Sequence, residues 1–324
     1  MKAFVYAFDL PKKMKIVNDR AIPEPSKDEV KVKVLASSLN PVDFKIPEIS
    51  AMASSRKDTP VGVDFCGKVE SVGLNVKDVA VGDVVFGTTM KGTHAEYLTV
   101  KSNTVGKVPI DVDVKDAASA PCAGLTAYQG LAMVGAINAK SPLKILVIGA
   151  SGGVGHYAVQ IAKACNPTGT KVIAVCSGKN ASFVKSLGAD QILDYTEIGF
   201  DLPTAVTDAD VVYDCVSPDT PYEEISKKCL KPNGKYVCAN SPNMSDFLRK
   251  IVSGYLPFSI ERGNFNLVMV NSNTKDLTAL AELMSSKKVK THISKTISLK
   301  EDELHAAYDL LRTHRTVGKI VVTF

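Results

Sequence analysis

The chain has 324 residues, 45% of them apolar and 23% charged, with a net charge of +5. That length supports two domains and a sizeable core, and the balance is that of an ordinary globular protein. No apolar run approaches the roughly 18 residues of a membrane span, the lysines are dispersed rather than blocked as in a nucleic-acid surface, and the seven cysteines include no Cys-x-x-Cys pair, so free thiols are expected and neither a disulfide framework nor a metal site.

The first ten residues, MKAFVYAFDL, read as a strand, from which a cytoplasmic location is expected; peripheral attachment to an organelle membrane through an uncleaved signal is the alternative. Up to about residue 120, short apolar strands such as Val30–Val34, Gly67–Val72 and Gly82–Gly87 alternate with Gly and Pro breaks. Their period of two predicts a twisted antiparallel β domain. From about residue 124 the rhythm changes. Apolar strands at Lys144–Ile148, Lys171–Cys176, Gln191–Leu193, Asp210–Tyr213 and Lys235–Cys238 alternate with helical stretches, which predicts an α/β fold with a doubly wound parallel sheet. Apolar residues at 244, 247, 248, 251, 252 and 255 fall on one helical face, read as a helix packed on its own domain, with a membrane-surface or partner helix as the alternative. Then follow a strand Asn266–Val270, a helix Thr274–Ser286, a strand around Ile293, a helix Glu301–Arg312 and a strand Lys319–Thr323. This tail is too small to fold alone and is expected to complete the first domain, so that residues 1–123 and 260–324 form one domain and 124–259 the other.

The strongest chemical signal is the run from Lys144 to Tyr157, in which an apolar strand enters the turn Gly149-Ala150-Ser151-Gly152-Gly153-Val154-Gly155 and a helix follows. The spacing Ala150-x-Gly152-x-x-Gly155 stands in the strand–turn–helix setting that a dinucleotide fingerprint requires. Gly152 would let the backbone approach a pyrophosphate, Gly155 would let helix and strand pack closely, and the amides of Ala150 to Gly155 would face the negative charge at the helix start. An NAD site carries Asp or Glu about 20 residues on, at the end of the second strand. Here that position reads Cys176-Ser177-Gly178-Lys179, and no carboxylate precedes Asp190. The Ser177 hydroxyl and the Lys179 ammonium suit a 2′-phosphate, through charge-assisted hydrogen bonds of about 1.5–3 kcal/mol each, so NADPH is the expected cofactor.

Several ordered motifs resemble the quinone oxidoreductase branch of the medium-chain dehydrogenase/reductase superfamily. They are Ser38-Leu39-Asn40-Pro41-Val42-Asp43-Phe44-Lys45, Gly62-Val63-Asp64-Phe65-Cys66-Gly67, Val81-Gly82-Asp83-Val84-Val85, Ala123-Gly124-Leu125-Thr126-Ala127-Tyr128, Gly188-Ala189-Asp190 with Asp194-Tyr195, and Gly318-Lys319-Ile320-Val321. The runs Phe183–Asp190 and Lys288–Thr291 are similar to the chloroplast-envelope homologues of that branch. The resemblance implies a GroES-like β domain closed by the C-terminal tail, a Rossmann domain between, and an active site in the cleft between them. It also implies that Ser177, Lys179 and Tyr195 contact the NADP 2′-phosphate, that Asn40, Lys45 and Thr126 serve the nicotinamide and substrate, and that the chain dimerises through Asn266–Val270.

Zinc-dependent alcohol dehydrogenases of the superfamily carry Cys in the early motif and Gly-His-Glu in the next; this chain has Asn40-Pro41 and Gly62-Val63-Asp64. With three ligands missing, no metal is expected. What the pattern implies is zinc-free hydride transfer to quinones or α,β-unsaturated carbonyls. Lys45 stands where many quinone reductases of the family carry Tyr, and no aromatic residue occurs between Phe44 and Phe65, which favours an enone or enal. Asp43 reads as structural, the five histidines lack ligand spacing, His156 reads as packing, and nothing in the sequence activates Cys66. The alternative reading is an NADPH-binding sensor, structural or membrane-associated protein without turnover, since a fold does not dictate a function.

Overall fold

The computed structural model describes residues 1–7, 13–48, 56–216, 220–239, 259–262 and 264–324. Chain contacts divide them into a first unit, Met1–Cys122 with Ser272–Ser286 and Thr291–Phe324, and a second, Ala123–Asn271 with Lys287–Lys290.

In the first unit β1 (Ala3–Tyr6) pairs antiparallel with β2 (Met14–Val17). The long strand β3 (Glu29–Ser38) buries Val30, Val32 and Val34 while Lys31 and Lys33 turn away, the alternation read from the sequence. It leads into helix α1 (Pro41–Glu48) and pairs antiparallel with β4 (Asp64–Val72). β5 (Val84–Thr88), β6 (Tyr97–Lys101) and β7 (Val105–Lys107) extend the sheet, β6 lying on the first half of β3. Val30, Val32, Val34, Phe65, Val69 and Val85 share one core, each burial contributing roughly 1.5–3 kcal/mol. Helix α2 (Val114–Ser119), capped by the Asp113 side chain on the Lys115 N–H, is followed by α3 (Pro121–Met133).

The second unit alternates strand and helix: β8 (Lys144–Ile148), α4 (Gly155–Ala164), β9 (Lys171–Cys176), α5 (Ala181–Ser186), β10 (Gln191–Asp194), α6 (Leu202–Ala205), β11 (Ala209–Asp214), α7 (Tyr222–Cys229) and β12 (Leu230–Cys238). β13 (Ser259–Arg262) and β14 (Phe265–Val268) complete it. The strand order is β10-β9-β8-β11-β12-β14-β13, parallel except for β13. The chain runs outward from β8 to β10 and then restarts on the other side of β8 with β11. The strand order reverses between β8 and β11, and at the carboxyl ends of strands at such a reversal open α/β sheets bind their ligands.

β14 departs from the expected division at residue 260. It adds to the parallel sheet beside β12, so the chain returns to the first unit at Ser272. The reason is burial: Phe265, Leu267 and Val268 are apolar and covered on this sheet. β14 is also paired on both sides, by β12 and β13. Of the apolar side chains read as a dimer surface, Phe265, Leu267 and Val268 are buried in the single chain and Val270, beyond β14, is half-buried.

The tail then supplies α8 (Thr274–Ser285), β15 (Ile293–Ser298), α9 (Glu301–Arg312) and β16 (Lys319–Thr323). β16 pairs antiparallel with the end of β3, Val321 opposite Ser38, so the tail adds to the first sheet. Three acidic residues in the first turn of α9 suit the helix dipole, and its Leu304, Ala307 and Tyr308 fill the core with Phe4, Leu39 and Phe44. Between α8 and β15, Lys290 returns to the second unit, its backbone N–H and C=O both bonded to the Gln160 amide at 2.8 and 2.9 Å. The helix predicted at residues 244–255 lies outside the described residues. Among those described, no helix is long and apolar enough to cross a membrane.

Candidate functional site

The glycine-rich turn leaves β8 at Gly149, which takes φ +76°, a conformation side-chain-bearing residues rarely adopt. The tight turn thus falls one residue before Ala150, the position that opens the fingerprint. At Gly155 a Cβ would stand 2.1 Å from the Gly149 carbonyl oxygen and 2.7 Å from the Ala150 Cα, so helix and strand meet as closely as the sequence predicts. At Gly152 the nearest atom to a Cβ is 3.4 Å away, leaving that backbone open to an approaching ligand. Ala150 is buried, whereas Ser151, Gly152, Gly153 and Val154 are partly exposed. Val154 caps α4 without a side-chain hydrogen bond, so the first turn of that helix presents donors and the positive end of its dipole. His156 is buried and its Nδ1–H donates to the Gly152 carbonyl at 3.0 Å, a packing role that fixes the turn.

Three consecutive β-to-α turns meet here, because β8, β9 and β10 are neighbours. Asn180 Nδ2 donates to Ser151 Oγ at 3.1 Å, tying the second turn to the first. Ser177 is buried at the end of β9, Lys179 is exposed on the 3-10 turn Gly178–Asn180, and Tyr195 is 48% exposed beyond β10 with its N–H on the Cys176 carbonyl at 3.2 Å. The structure therefore brings Ala150–Gly155, Ser177, Lys179 and Tyr195 to one edge of the second sheet. The geometry fits a dinucleotide: an open glycine turn at a helix start, with a hydroxyl, an ammonium and a phenol on the next two turns. The sequence reading missed Asp194, whose carboxylate closes β10 beside Gly178. It stood in the sequence one residue past the third predicted strand, within the Asp194-Tyr195 motif, with no role attached to it.

Of the residues nominated for the reacting centre, Thr126 lies on α3 in the second unit, 6% exposed, and its carbonyl accepts from the buried Tyr213 hydroxyl at 2.6 Å. Lys45 is partly exposed on α1, and Asn40 is buried at the junction of β3 and α1. Both ends of the Asn40 amide are engaged. Nδ2 donates to Asp64 Oδ2 at 2.8 Å and Oδ1 accepts from Lys319 Nζ at 2.6 Å. Lys319 Nζ also donates to the Leu39 carbonyl at 2.9 Å and stands 3.6 Å from Asp64. Asp64 accepts in addition from Ser38 Oγ at 2.8 Å and the Cys122 N–H at 2.7 Å. An ammonium already neutralises this carboxylate and each of its oxygens has a donor, so the cluster is not built for a divalent cation. Among the described residues no group of three or more His, Cys, Asp or Glu side chains could hold a metal ion.

A second buried chain adjoins it. Ser37 Oγ donates to His94 Nδ1 at 2.8 Å, His94 Nε2–H donates to the Tyr308 oxygen at 2.7 Å, and the Tyr308 hydroxyl donates to Asp43 Oδ2 at 2.9 Å. The Asn40 N–H reaches the same oxygen at 2.8 Å, and the Tyr6 hydroxyl bonds the Asp43 carbonyl. That Tyr308 donates to Asp43 fixes the His94 tautomer. Burial holds His94 down to about 3 and pushes Asp43 up to about 7. It also raises Asp64, against the opposing pull of Lys319. Burial likewise raises the Cys66 thiol well above its ordinary value, which keeps it protonated.

Residues 187–322 match the family described as zinc-binding dehydrogenase, and residues 26–110 the alcohol dehydrogenase GroES-like domain. The 2-methylene-furan-3-one reductase of Solanum lycopersicum is 33% identical across 99% of this chain and 79% of its own length. The chloroplast envelope quinone oxidoreductase homolog of Arabidopsis thaliana is 41% identical across 54% of each chain. The solved structure of the quinone oxidoreductase from Coxiella burnetii aligns with a TM-score of 0.85 and 31% identity, covering 100% of this chain and 99% of that one. A GroES-like domain, a Rossmann sheet with its phosphate turn, and relatives of this similarity along the whole length agree: the chain belongs to the medium-chain dehydrogenase/reductase superfamily, in its branch of quinone oxidoreductases and enone reductases.

Proposed function

We propose that this oxidoreductase uses NADPH, without zinc, to reduce α,β-unsaturated carbonyls, and quinones less readily. The observation that carries the cofactor half is the end of β9, where Ser177 and Lys179 stand beside the phosphate turn and the strand itself ends in no ribose-binding acid, the nearby Asp194 carboxylate coming from β10 and being engaged by Thr196. When bound, the reduced nicotinamide supplies a hydride. The chain's own part is to hold the diphosphate on the amides of Ser151, Gly153, Val154 and Gly155, the Gly152 N–H being bonded to the Gly149 carbonyl, catch the 2′-phosphate with Ser177, Lys179 and Tyr195, and hydrogen-bond the oxygen that gains charge as an enone accepts hydride. Lys45 and the Thr126 hydroxyl are the proposed groups for that last task. Asn40 serves by holding the junction of β3 and α1 that carries Lys45, since its amide is consumed by Asp64 and Lys319.

Independence of zinc is supported by the donors around Asp64, by Asn40-Pro41 in place of Cys in the first early motif, and by Gly62-Val63-Asp64 in place of Gly-His-Glu in the second. The preference for enones is supported by Lys45 and by relatives named 2-methylene-furan-3-one reductase and NADPH-dependent alkenal/one oxidoreductase; the quinone activity is supported by those named quinone oxidoreductase. The test is NADPH oxidation against a panel of enones, enals and quinones, in the presence of a chelator. Turnover of enones ahead of quinones, insensitive to the chelator, is expected. Tight NADPH binding with no oxidation by any acceptor would overturn the proposal in favour of a binding protein without turnover.

A further inference from the structure

The nucleotide edge carries one anion that phosphate binding by itself does not explain. Asp194 closes β10 with Cys176 as its register partner on β9, one residue before Ser177. Its carboxylate accepts from the Thr196 hydroxyl at 2.6 Å and the Thr196 N–H at 2.8 Å on one side, and on the other it lies against the backbone of Gly178. These bonds, those to Thr196 foremost, hold it below the usual carboxylate range, so it is ionised at neutral pH. A Cβ at Gly178 would lie 2.1 Å from Asp194 Oδ2. Gly178 is not among the glycines with positive φ, so the carboxylate, rather than the backbone conformation, is what requires a glycine there.

We propose that Asp194 is a positioning residue for the cofactor's 2′-phosphate, clasping the turn that carries Ser177 and Lys179 to the turn that carries Tyr195. The inference rests on the NADPH reading above and adds the device that fixes its three contacts. Ser177 and Lys179 sit on one loop and Tyr195 on another, and contacts drawn from separate loops recognise a single group only if the loops keep register. Asp194 supplies that register through its bonds to Thr196 on one loop and its close seat against Gly178 on the other. Its negative charge opposes the phosphate, but solvent and salt screen exposed charges strongly, and loss of ordered hydrogen bonds to a phosphate outweighs what relief of that repulsion returns.

The experiment is calorimetric titration of the full chain with NADPH and, separately, NADH, for the wild type, Asp194→Ala, Asp194→Asn and Gly178→Ala. Asp194→Ala is expected to weaken NADPH about tenfold while NADH, which lacks the 2′-phosphate, changes by less than about twofold. Asparagine keeps an acceptor oxygen for the Thr196 donors and should restore most of the loss. Gly178→Ala displaces the carboxylate without removing its charge and should reproduce the NADPH-specific loss. Tighter or unchanged NADPH binding in both Asp194 variants would overturn the clasp, showing an anion that merely repels. Equal weakening of NADPH and NADH would overturn it as well, since that is the mark of a general loss of structure. Failure of the underlying cofactor reading is visible separately, in a wild type that does not prefer NADPH.

Discussion

Lys319 is 3% exposed, and an ammonium so deep in a fold must have its charge met. Asp64 and the oxygens of Leu39 and Asn40 do so. Lys319→Met keeps the length of the side chain but leaves the Asp64 carboxylate uncompensated. It should cost about 3–5 kcal/mol of stability, seen as a lower urea midpoint with the slope unchanged; a midpoint within error of the wild type would show that the pair contributes nothing. Lys179 is the opposite case, exposed and placed for a ligand. Lys179→Ala should leave stability unaltered and weaken NADPH about ten- to hundredfold with NADH unaffected, measured by equilibrium binding. The two lysines also differ in legibility. Lys179 could be read from its neighbours, because the loop after an expected strand lacked an acid. Lys319 could not, because its partner Asn40 lies 279 residues away in sequence and no local pattern records such a contact. Asp194 escaped for a related reason: its part depends on β10 lying beside β9, and adjacency of strands is a property of the sheet.

At the scale of elements, strand and helix positions were legible wherever periodicity was strong. β8, β9, α9 and β16 fall where the sequence puts them, since each has a clear apolar pattern and a turn residue at its edge. The glycine turn was legible as a motif but not in its geometry, the positive φ sitting at Gly149. Gly155→Ala must push α4 off β8 and should cost about 1–3 kcal/mol together with loss of nucleotide binding, checked by thermal melts with and without NADPH. The chain from Ser37 through His94 and Tyr308 to Asp43 makes a prediction about pH. Asp43 rises from 3.8 to about 7 on folding, so its contribution to stability is full below pH 3.8 and is lost as pH rises through about 7. His94 falls from 6.5 to about 3, so its contribution is full above pH 6.5 and is lost as pH falls through about 3. The two slopes oppose each other in the overlap, each up to about 1.4 kcal/mol per pH unit. Asp43→Asn removes one of them, and the variant should lose stability on acidification more steeply than the wild type. Urea midpoints from pH 4 to 7 test this; parallel profiles would refute it. Asp64 and Lys319 face both groups in wild type and variant alike, so their influence cancels in the comparison.

For the whole molecule, composition and the change of rhythm near residue 124 were enough to separate a β unit from a parallel α/β unit. The point of return was not, because β14 carries an apolar pattern that either sheet could bury, and only pairing with β12 decides between them. Ligand linkage offers a check at this scale. NADPH at a hundred times its dissociation constant should stabilise the folded chain by about 2.7 kcal/mol, and the same excess of adenosine diphosphate ribose over NADPH's constant should do less. The claim on which the account turns is that three adjacent turns at one sheet edge recognise a dinucleotide bearing a 2′-phosphate. The most direct measurement is competition between NADPH and NADH for the wild-type chain at one pH and ionic strength. NADPH should bind at least about tenfold more tightly, with the margin shrinking as salt is raised; equal affinities, or a preference for NADH, would contradict a site built for the 2′-phosphate.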